Sequence, residues 1–473
     1  MAPRRAPFDD RGVPNTQGGS PPHATMSVVR FRPPRFRPVT LDDGEPGGFS
    51  RPPPPAAAMT ARSAAVSPPP DTGGAQAAAQ SDGAPAVRLL ADMLREASLR
   101  NASDLHVEPF EHGWRIRLRI DGMLHEVARP PAHLRDAFVT RIKVLARMDI
   151  AERRVPQDGR LRLASGTSAR GPDDYRVSSL PTLFGEKLVL RRLEALPADL
   201  SLATLGLDDT QRDALADAIR APHGLVLVTG PTGSGKTLSL YCFLQMLNSE
   251  SRNLCSVEDP AEIQLAGINQ VNVREKAGLT FAVALRAFLR QDPDIIMVGE
   301  IRDEETADVA VKAAQTGHLV LSTLHTNDAP AAIARLIDIG VEPYNLAAAL
   351  RLVTAQRLVR RLCSVCRAPA DDGAAAAAAN TFATGGGTPS AWRPYVPVGC
   401  DACHGIGYRG RIGIHEVMPV SDAMRELIVR GASAQEIARQ ARSECIATLR
   451  DAAIARVRDG TTSVAEAIGA TDA

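Results

Sequence analysis

No stretch of the 473 residues reaches the roughly eighteen consecutive apolar side chains that a membrane-spanning helix needs. The opening MAPRRAPFDD also lacks the apolar segment of a secretory signal. The chain is therefore expected in the cytoplasm. An excess of charge is missing too: 55 Lys and Arg stand against 54 Asp and Glu. Without a basic surplus, nothing in the bulk composition points to nucleic acid, and a DNA-directed reading would have to rest on motifs alone. Cysteine is scarce, and its seven copies are too unevenly spread for a disulfide scaffold. Four of them form two close pairs, which in a reducing compartment suggests a metal.

What is abundant changes along the chain. Residues 1–84 hold 16 of the 35 prolines, no lysine and four aromatics, a composition unable to bury a core. This segment is read as a disordered leader, with Met26 and Met59 as alternative translation starts. From Pro85 the texture shifts. Val87, Leu90, Met93 and Leu94 recur at helical spacing, and residues 105–108 and 114–120 alternate like strands around a turn. The segment WRIRLRI sends Trp114, Ile116, Leu118 and Ile120 to one face and three arginines to the other. A further strand, a helix over 132–148 and strands near 160–163, 175–178 and 187–193 complete a small α+β domain over 85–197.

After a linker at 198–206, short apolar runs at 225–229, 254–257, 295–298 and 319–323 alternate with helical stretches. That pattern predicts a parallel sheet covered on both faces, in a second domain over 207–361. A cysteine-bearing part over 362–413 follows, with an Ala/Gly-rich insertion at 374–387. Residues 414–473 are expected to be helical.

The strongest chemical signal is the run Gly230, Pro231, Thr232, Gly233, Ser234, Gly235, Lys236, Thr237, which matches GxxxxGK[ST] between a buried strand and a helix. Its glycines let backbone amides turn toward phosphate oxygens, and the helix N-terminus adds partial positive charge. Lys236 is expected to reach the β- and γ-phosphates of ATP, and Thr237 to hold magnesium. Glu300 follows the apolar run 295–298, although Gly299 stands where an aspartate is usual. Glu258, Asp259 and Glu262 follow the run 254–257. Two such carboxylates can divide the work, one on magnesium and one orienting the attacking water. Alone, each group reads as a solvated strand end. His318 and His325 bracket the strand 319–324, and beside a phosphate loop they become candidate γ-phosphate sensors. Cys363 and Cys366, then Cys400 and Cys403, form CxxC knuckles 33 residues apart, suited to a closed tetrahedral Zn²⁺ site. Cys400 to His404 also spells the haem-attachment pattern CxxCH, a chemistry that needs an exported protein.

The run VTGPTGSGKT, the acidic VEDPAEI, the segment LRQDPDIIMVGEIRD, the stretch TGHLVLSTLHTNDAP and the paired knuckles occur in this order. Together they resemble the type II/type IV secretion ATPase superfamily, and within it the PilB/GspE (PulE) family of pilus-assembly and type II secretion ATPases. The resemblance implies an α/β fold with a RecA-like P-loop motor, a preceding small α+β (PAS-like) domain and a zinc-bearing C-terminal part. It implies a homohexamer that hydrolyses ATP with Mg²⁺ and pushes on an inner-membrane platform protein to assemble pilus or pseudopilus fibres. Type II secretion is the alternative cargo, and a DNA-translocating or conjugation-type motor a more distant one. Arg176 and Arg191 match family arginines that approach the phosphates, and Arg286, Arg290, Arg302 and Arg411 match other family arginines. Two features depart from the family pattern: the proline-rich leader stands where a folded docking domain is usual, and the knuckles carry the insertion.

Overall fold

The computed structural model describes residues 73–162, 174–193, 200–373 and 393–471, with side chains from Pro85 onward. The leader up to residue 72, the insertion at 374–387 and the first part of the linker lie outside the described residues.

The first sheet is antiparallel, in the order β3-β2-β1-β6-β5-β4. Its strands are β1 (Asp104–Phe110), β2 (Gly113–Ile120), β3 (Met123–Ala128), β4 (Gln157–Arg162), β5 (Asp174–Thr182) and β6 (Gly185–Leu193). Strand β2 alternates strictly between half-buried and buried, as WRIRLRI requires of a pleated strand with one face on a core. That core holds Trp114, Ile116 and Leu118 against Phe138 and Ile142 of helix Arg135–Leu145 and Leu90 and Leu94 of helix Gly73–Leu99. The Trp114 indole N–H donates to the Pro131 carbonyl at 2.9 Å, so its one polar atom is paired inside the core. The opposite face is charged. Arg119, Asp104, Arg191, Arg176 and Arg160 stand in register across β2, β1, β6, β5 and β4.

The second sheet runs β15-β12-β7-β11-β10-β8-β9. It is built from β7 (Gly224–Thr229), β8 (Leu254–Glu258), β9 (Asn269–Asn272), β10 (Ile295–Val298), β11 (Leu319–Leu324), β12 (Leu350–Leu362) and β15 (Tyr408–Pro419). Strands β7 to β12 pair in parallel, and every residue of β7, β8, β10 and β11 is buried. Helices cover both faces, giving one core around Leu225, Val257, Ile296 and Ile333 and another around Val226, Phe243, Met297 and Leu321.

Two expectations are corrected. The sheet is mixed, because β15 returns antiparallel along β12. Residues 408–419 are therefore strand, and the C-terminal part becomes helical only from Asp422. The reason is pairing: β12 lies inside the sheet between β7 and β15, and its backbone donors and acceptors need a partner on each side. Between these two strands the chain carries the cysteines and a short ladder of β13 (Ala368–Pro369) with β14 (Tyr395–Val396).

Candidate functional site

Parallel strands β7, β8, β10 and β11 all release their carboxyl ends on one edge of the sheet, where open α/β sheets hold ligands. The phosphate-loop motif leaves β7 and enters helix Lys236–Leu247. It turns through Gly230, Gly233 and Gly235 at positive φ. Side chains at two of them would collide with β12: a Cβ at Gly230 would sit 2.4 Å from the Gln356 carbonyl oxygen, and one at Gly235 would sit 2.8 Å from Gln356 Nε2, while Gly233 faces open space. The loop thus rests on bare backbone against its neighbour strand. Lys236 is buried and donates to its own loop, 2.8 Å to the Gly230 carbonyl and 3.1 Å to that of Pro231. Burial pushes its ammonium down to about 8, with nearby Glu300 opposing and the Arg357 guanidinium adding to the effect. Ser234 Oγ is buried without a hydrogen-bond partner. A buried cation and an orphaned hydroxyl inside a glycine cradle fit the oxygens of a polyphosphate. Thr237 is half-buried in the first turn of the helix.

Glu300 sits at the turn after β10, and that turn is pinned from two sides. Gly299 N–H donates to Val257 O at 2.8 Å, Thr323 Oγ1 donates to Gly299 O at 2.6 Å, and Ile301 N–H donates to Thr323 O at 3.1 Å. A Cβ at Gly299 would stand 3.3 Å from the Val257 carbonyl oxygen, so glycine replaces the usual aspartate where β8 crowds the turn. The Glu300 carboxylate meets Arg302 at 2.6 Å and His325 Nε2 at 3.5 Å. Burial holds the His325 imidazole below its usual value, helped by Lys236 and opposed by Glu300. Lys236, Glu300, Arg302 and His325 therefore form one electrostatic cluster.

Glu258 is arranged differently. It is buried, and three donors occupy its oxygens: Tyr241 Oη at 2.5 Å, Ser256 Oγ at 2.7 Å and Gln270 Nε2 at 3.1 Å. Tyr241 comes from the phosphate-loop helix, so Glu258 fastens that helix to β8. Asp259 and Glu262 are exposed beyond it.

The histidines separate. His325 follows β11 at the phosphate-loop edge, whereas His318 precedes β11, next to Gly224 at the start of β7, with Nδ1 on the Ala313 carbonyl at 3.0 Å. Six strand residues at about 3.3 Å each place it roughly 20 Å from that edge. The structure does not bring His318 to the phosphate loop of its own chain. The direction of the parallel strands, legible in the sequence, would have separated the two.

Of the arginines, Arg302 joins the cluster. Arg286 pairs with Glu305 and Arg290 donates to the Arg286 carbonyl, while Arg411 is exposed on β15. Arg176 and Arg191 stand side by side on the charged face of the first sheet, both exposed, with Arg191 on Asp104 at 2.9 Å. Gln356 and Arg357 of β12, which the motifs did not single out, also belong to the site. Both are buried; Gln356 accepts from Ser239 of the phosphate-loop helix, and Arg357 donates to Asn327 in the loop after β11.

The four knuckle cysteines converge. Their sulfurs lie within 4.8 Å of one another, with edges of 3.9 Å for Cys363 to Cys400 and 3.8 Å for Cys366 to Cys403 and Cys400 to Cys403. A tetrahedron with metal–sulfur bonds of about 2.3 Å has edges near 3.8 Å. Backbone N–H groups of Gly399 and Gly407 point at Cys366 and Cys403 sulfur, as suits thiolates. The donor set fits Zn²⁺.

A phosphate loop at the end of the parallel strands of a mixed sheet, backed by a carboxylate–histidine cluster, defines a P-loop nucleotide-binding protein. Residues 79–469 match the family described as type II/IV secretion system protein, and the chain belongs to that family. It is 49% identical over 400 residues to the type IV pilus assembly ATPase PilB of Myxococcus xanthus, covering 84% of this chain and 69% of that protein. It is 48% identical over 394 residues to the type II secretion system protein E of Pseudomonas aeruginosa, covering 83% and 76%. Among solved structures, the pilus retraction motor PilT with bound ADP aligns at TM-score 0.55 and 26% identity, over 81% of this chain and 96% of that one. The Legionella pneumophila ATPase DotB aligns at 0.58 and 21% identity, over 80% and 94%, a likeness of fold.

Proposed function

We propose that this protein is a hexameric motor ATPase that hydrolyses ATP to assemble type IV pilus or pseudopilus fibres through an inner-membrane platform protein, acting on the cytoplasmic side. The cluster of Lys236, Glu300 and His325 beside the orphaned Ser234 hydroxyl carries this reading. Relatives whose names specify pilus assembly and type II secretion match almost equally well. Type II secretion is therefore the second reading, with the same chemistry and a different cargo.

The proposed division places a PAS-like arginine-bearing domain at 85–197, a RecA-like motor at 207–361 and a zinc-bearing part after 362. Lys236 donates to its own loop carbonyls, neutral partners weaker than the phosphate oxygens it would bind. Thr237 with Glu300 would hold Mg²⁺, which supplies charge neutralisation on the phosphates. Glu300, held from two strands and only partly exposed, would also orient the attacking water. Glu258, which accepts from three donors, would hold the phosphate-loop helix and contribute the second carboxylate beside the triphosphate. His325 would report on the γ-phosphate through its contact with Glu300. Arg176 and Arg191 would stabilise charge on the transferring phosphoryl group when the two domains close. Cys363, Cys366, Cys400 and Cys403 would hold structural Zn²⁺.

The test is turnover. Purified protein with ATP and Mg²⁺ is expected to hydrolyse ATP, faster with the platform protein's cytoplasmic domain and not with DNA. Lys236→Ala should abolish hydrolysis, and Glu300→Gln should keep nucleotide binding while turnover falls by about a hundredfold or more. Stimulation by DNA alone would overturn the fibre-assembly reading, and unchanged turnover in Lys236→Ala would overturn the site.

A further inference from the structure

We infer that Arg357 is a positioning residue of the nucleotide site, tying the loop that carries His325 to the root of the phosphate loop and holding a buried positive charge for an incoming polyphosphate to neutralise. This rests on the ATPase reading above.

The argument begins with where β12 ends its pairing with β7. Its last rung there joins Ala355 to Thr229, so the next two residues stand beside the departing phosphate loop. Consecutive strand residues leave opposite faces. Gln356 takes one, its Oε1 accepting from Ser239 Oγ of the phosphate-loop helix at 2.8 Å. Arg357 takes the other and reaches past the end of β7 to the loop leaving β11. Its Nη2 donates to the Asn327 carbonyl at 2.9 Å and Asn327 Oδ1 at 3.3 Å, and its Nη1 donates to the Gln356 carbonyl at 3.2 Å. The same loop is fastened to β7, since Thr326 N–H donates to Thr229 Oγ1 at 2.9 Å and the two threonine hydroxyls lie 2.7 Å apart. Thr326 and Asn327, which follow His325, are thus fixed against β7 and β12.

The charge of Arg357 is the second observation. The side chain is 7% exposed, yet no carboxylate among the described residues forms an ion pair with it. Its hydrogen-bond acceptors are neutral, and Asp328 and Glu416 act on it only from beyond ion-pair distance. An uncompensated buried cation is costly and is expected to persist where it serves an anion. The other buried cation nearby is Lys236: its Nζ donates to the Gly230 carbonyl, and the Gln356 carbonyl that accepts from Arg357 borders Gly230. Arg357 depresses the Lys236 ammonium, a repulsion that phosphate oxygens bound between the glycine turns would offset. Occupancy of the phosphate loop is in this way transmitted through one guanidinium to the loop bearing His325.

The experiment compares wild type, Arg357→Lys and Arg357→Gln in kcat, KM and the pH dependence of kcat/KM for ATP with Mg²⁺, alongside melting temperatures. Lysine keeps the charge and loses the planar fork. Arg357→Lys is expected to lower kcat about tenfold with the alkaline limb of kcat/KM in place. Arg357→Gln is expected to lower kcat further and to move that limb to higher pH, because Lys236 no longer faces a second cation. Arg357→Met, which keeps the stem, serves if the glutamine variant does not fold. A kcat of Arg357→Lys within about twofold of wild type, or an unmoved limb in the uncharged variant, overturns the inference. Absence of hydrolysis and of nucleotide binding in wild type would instead remove the ATPase reading beneath it.

Discussion

Two adjacent residues of β15 show how burial writes opposite pH signatures into one strand. Burial pushes the His415 imidazole down to about 4 from an ordinary 6.5, against the pull of the Leu205 carbonyl. Burial also pushes the Glu416 carboxyl up to about 7 from 4.5, aided by Asp328, while amides of Ala329 and Leu449 oppose. Unfolding lets His415 take a proton between pH 4 and 6.5, so its contribution to stability rises with pH in that window. Folded Glu416 keeps a proton that the unfolded chain releases between pH 4.5 and 7, so its contribution falls as pH rises there. The two slopes oppose each other from 4.5 to 6.5. Glu416→Gln is therefore expected to gain on wild type steadily from pH 4.5 to 7, by on the order of 2–3 kcal/mol in total. Urea or thermal melts across that range read the difference. A gap independent of pH would mean that Glu416 is not held protonated by the fold.

At the scale of elements, legibility followed the apolar pattern. The strands β7, β8, β10 and β11 are buried on both faces and read as short continuous apolar runs, and the phosphate loop was placed correctly between its strand and helix. Strand β2 was legible for the opposite reason, a clean alternation of arginine with large apolar side chains. Strands β12 and β15 hid. Thr354, Gln356 and Arg357 in one and His415 and Glu416 in the other are polar residues at buried positions that break the apolar signal, and all but Thr354 bond to neighbouring loops or helix ends. Strand β9, at the sheet edge with the sequence NQVN, has no apolar run to find. The convergence of the cysteine knuckles was legible from their spacing, which suits tetrahedral ligation. Their energetics give a separate prediction. Cys363 follows the end of β12, and Gly407, whose N–H meets Cys403, precedes the start of β15. Cys400→Ser should release bound zinc and loosen the β12–β15 turn, lowering the melting temperature. Metal content by atomic emission and a melt decide it, and an unchanged value in both would remove the structural metal.

At the scale of the molecule, the arrangement separates a charged sheet face from the nucleotide edge. Arg176 and Arg191 stand together on the first sheet, while Lys236 and Glu300 occupy the second. Asp121, in the turn between β2 and β3, accepts from the Gly410 amide of β15 at 2.8 Å. In a ring, the arginines of one subunit are expected to complete the phosphate loop of the next. This makes a mixing experiment decisive. Lys236→Ala and Arg191→Ala subunits, each inactive or nearly so, are combined in equal amounts under conditions that exchange subunits. With random assembly, about a quarter of interfaces join an intact phosphate loop to an intact arginine. Hydrolysis should rise toward about a quarter of wild type, well above the sum of the parents. If activity stays at that sum although native mass measurements show mixed rings, Arg191 serves the phosphate loop of its own chain.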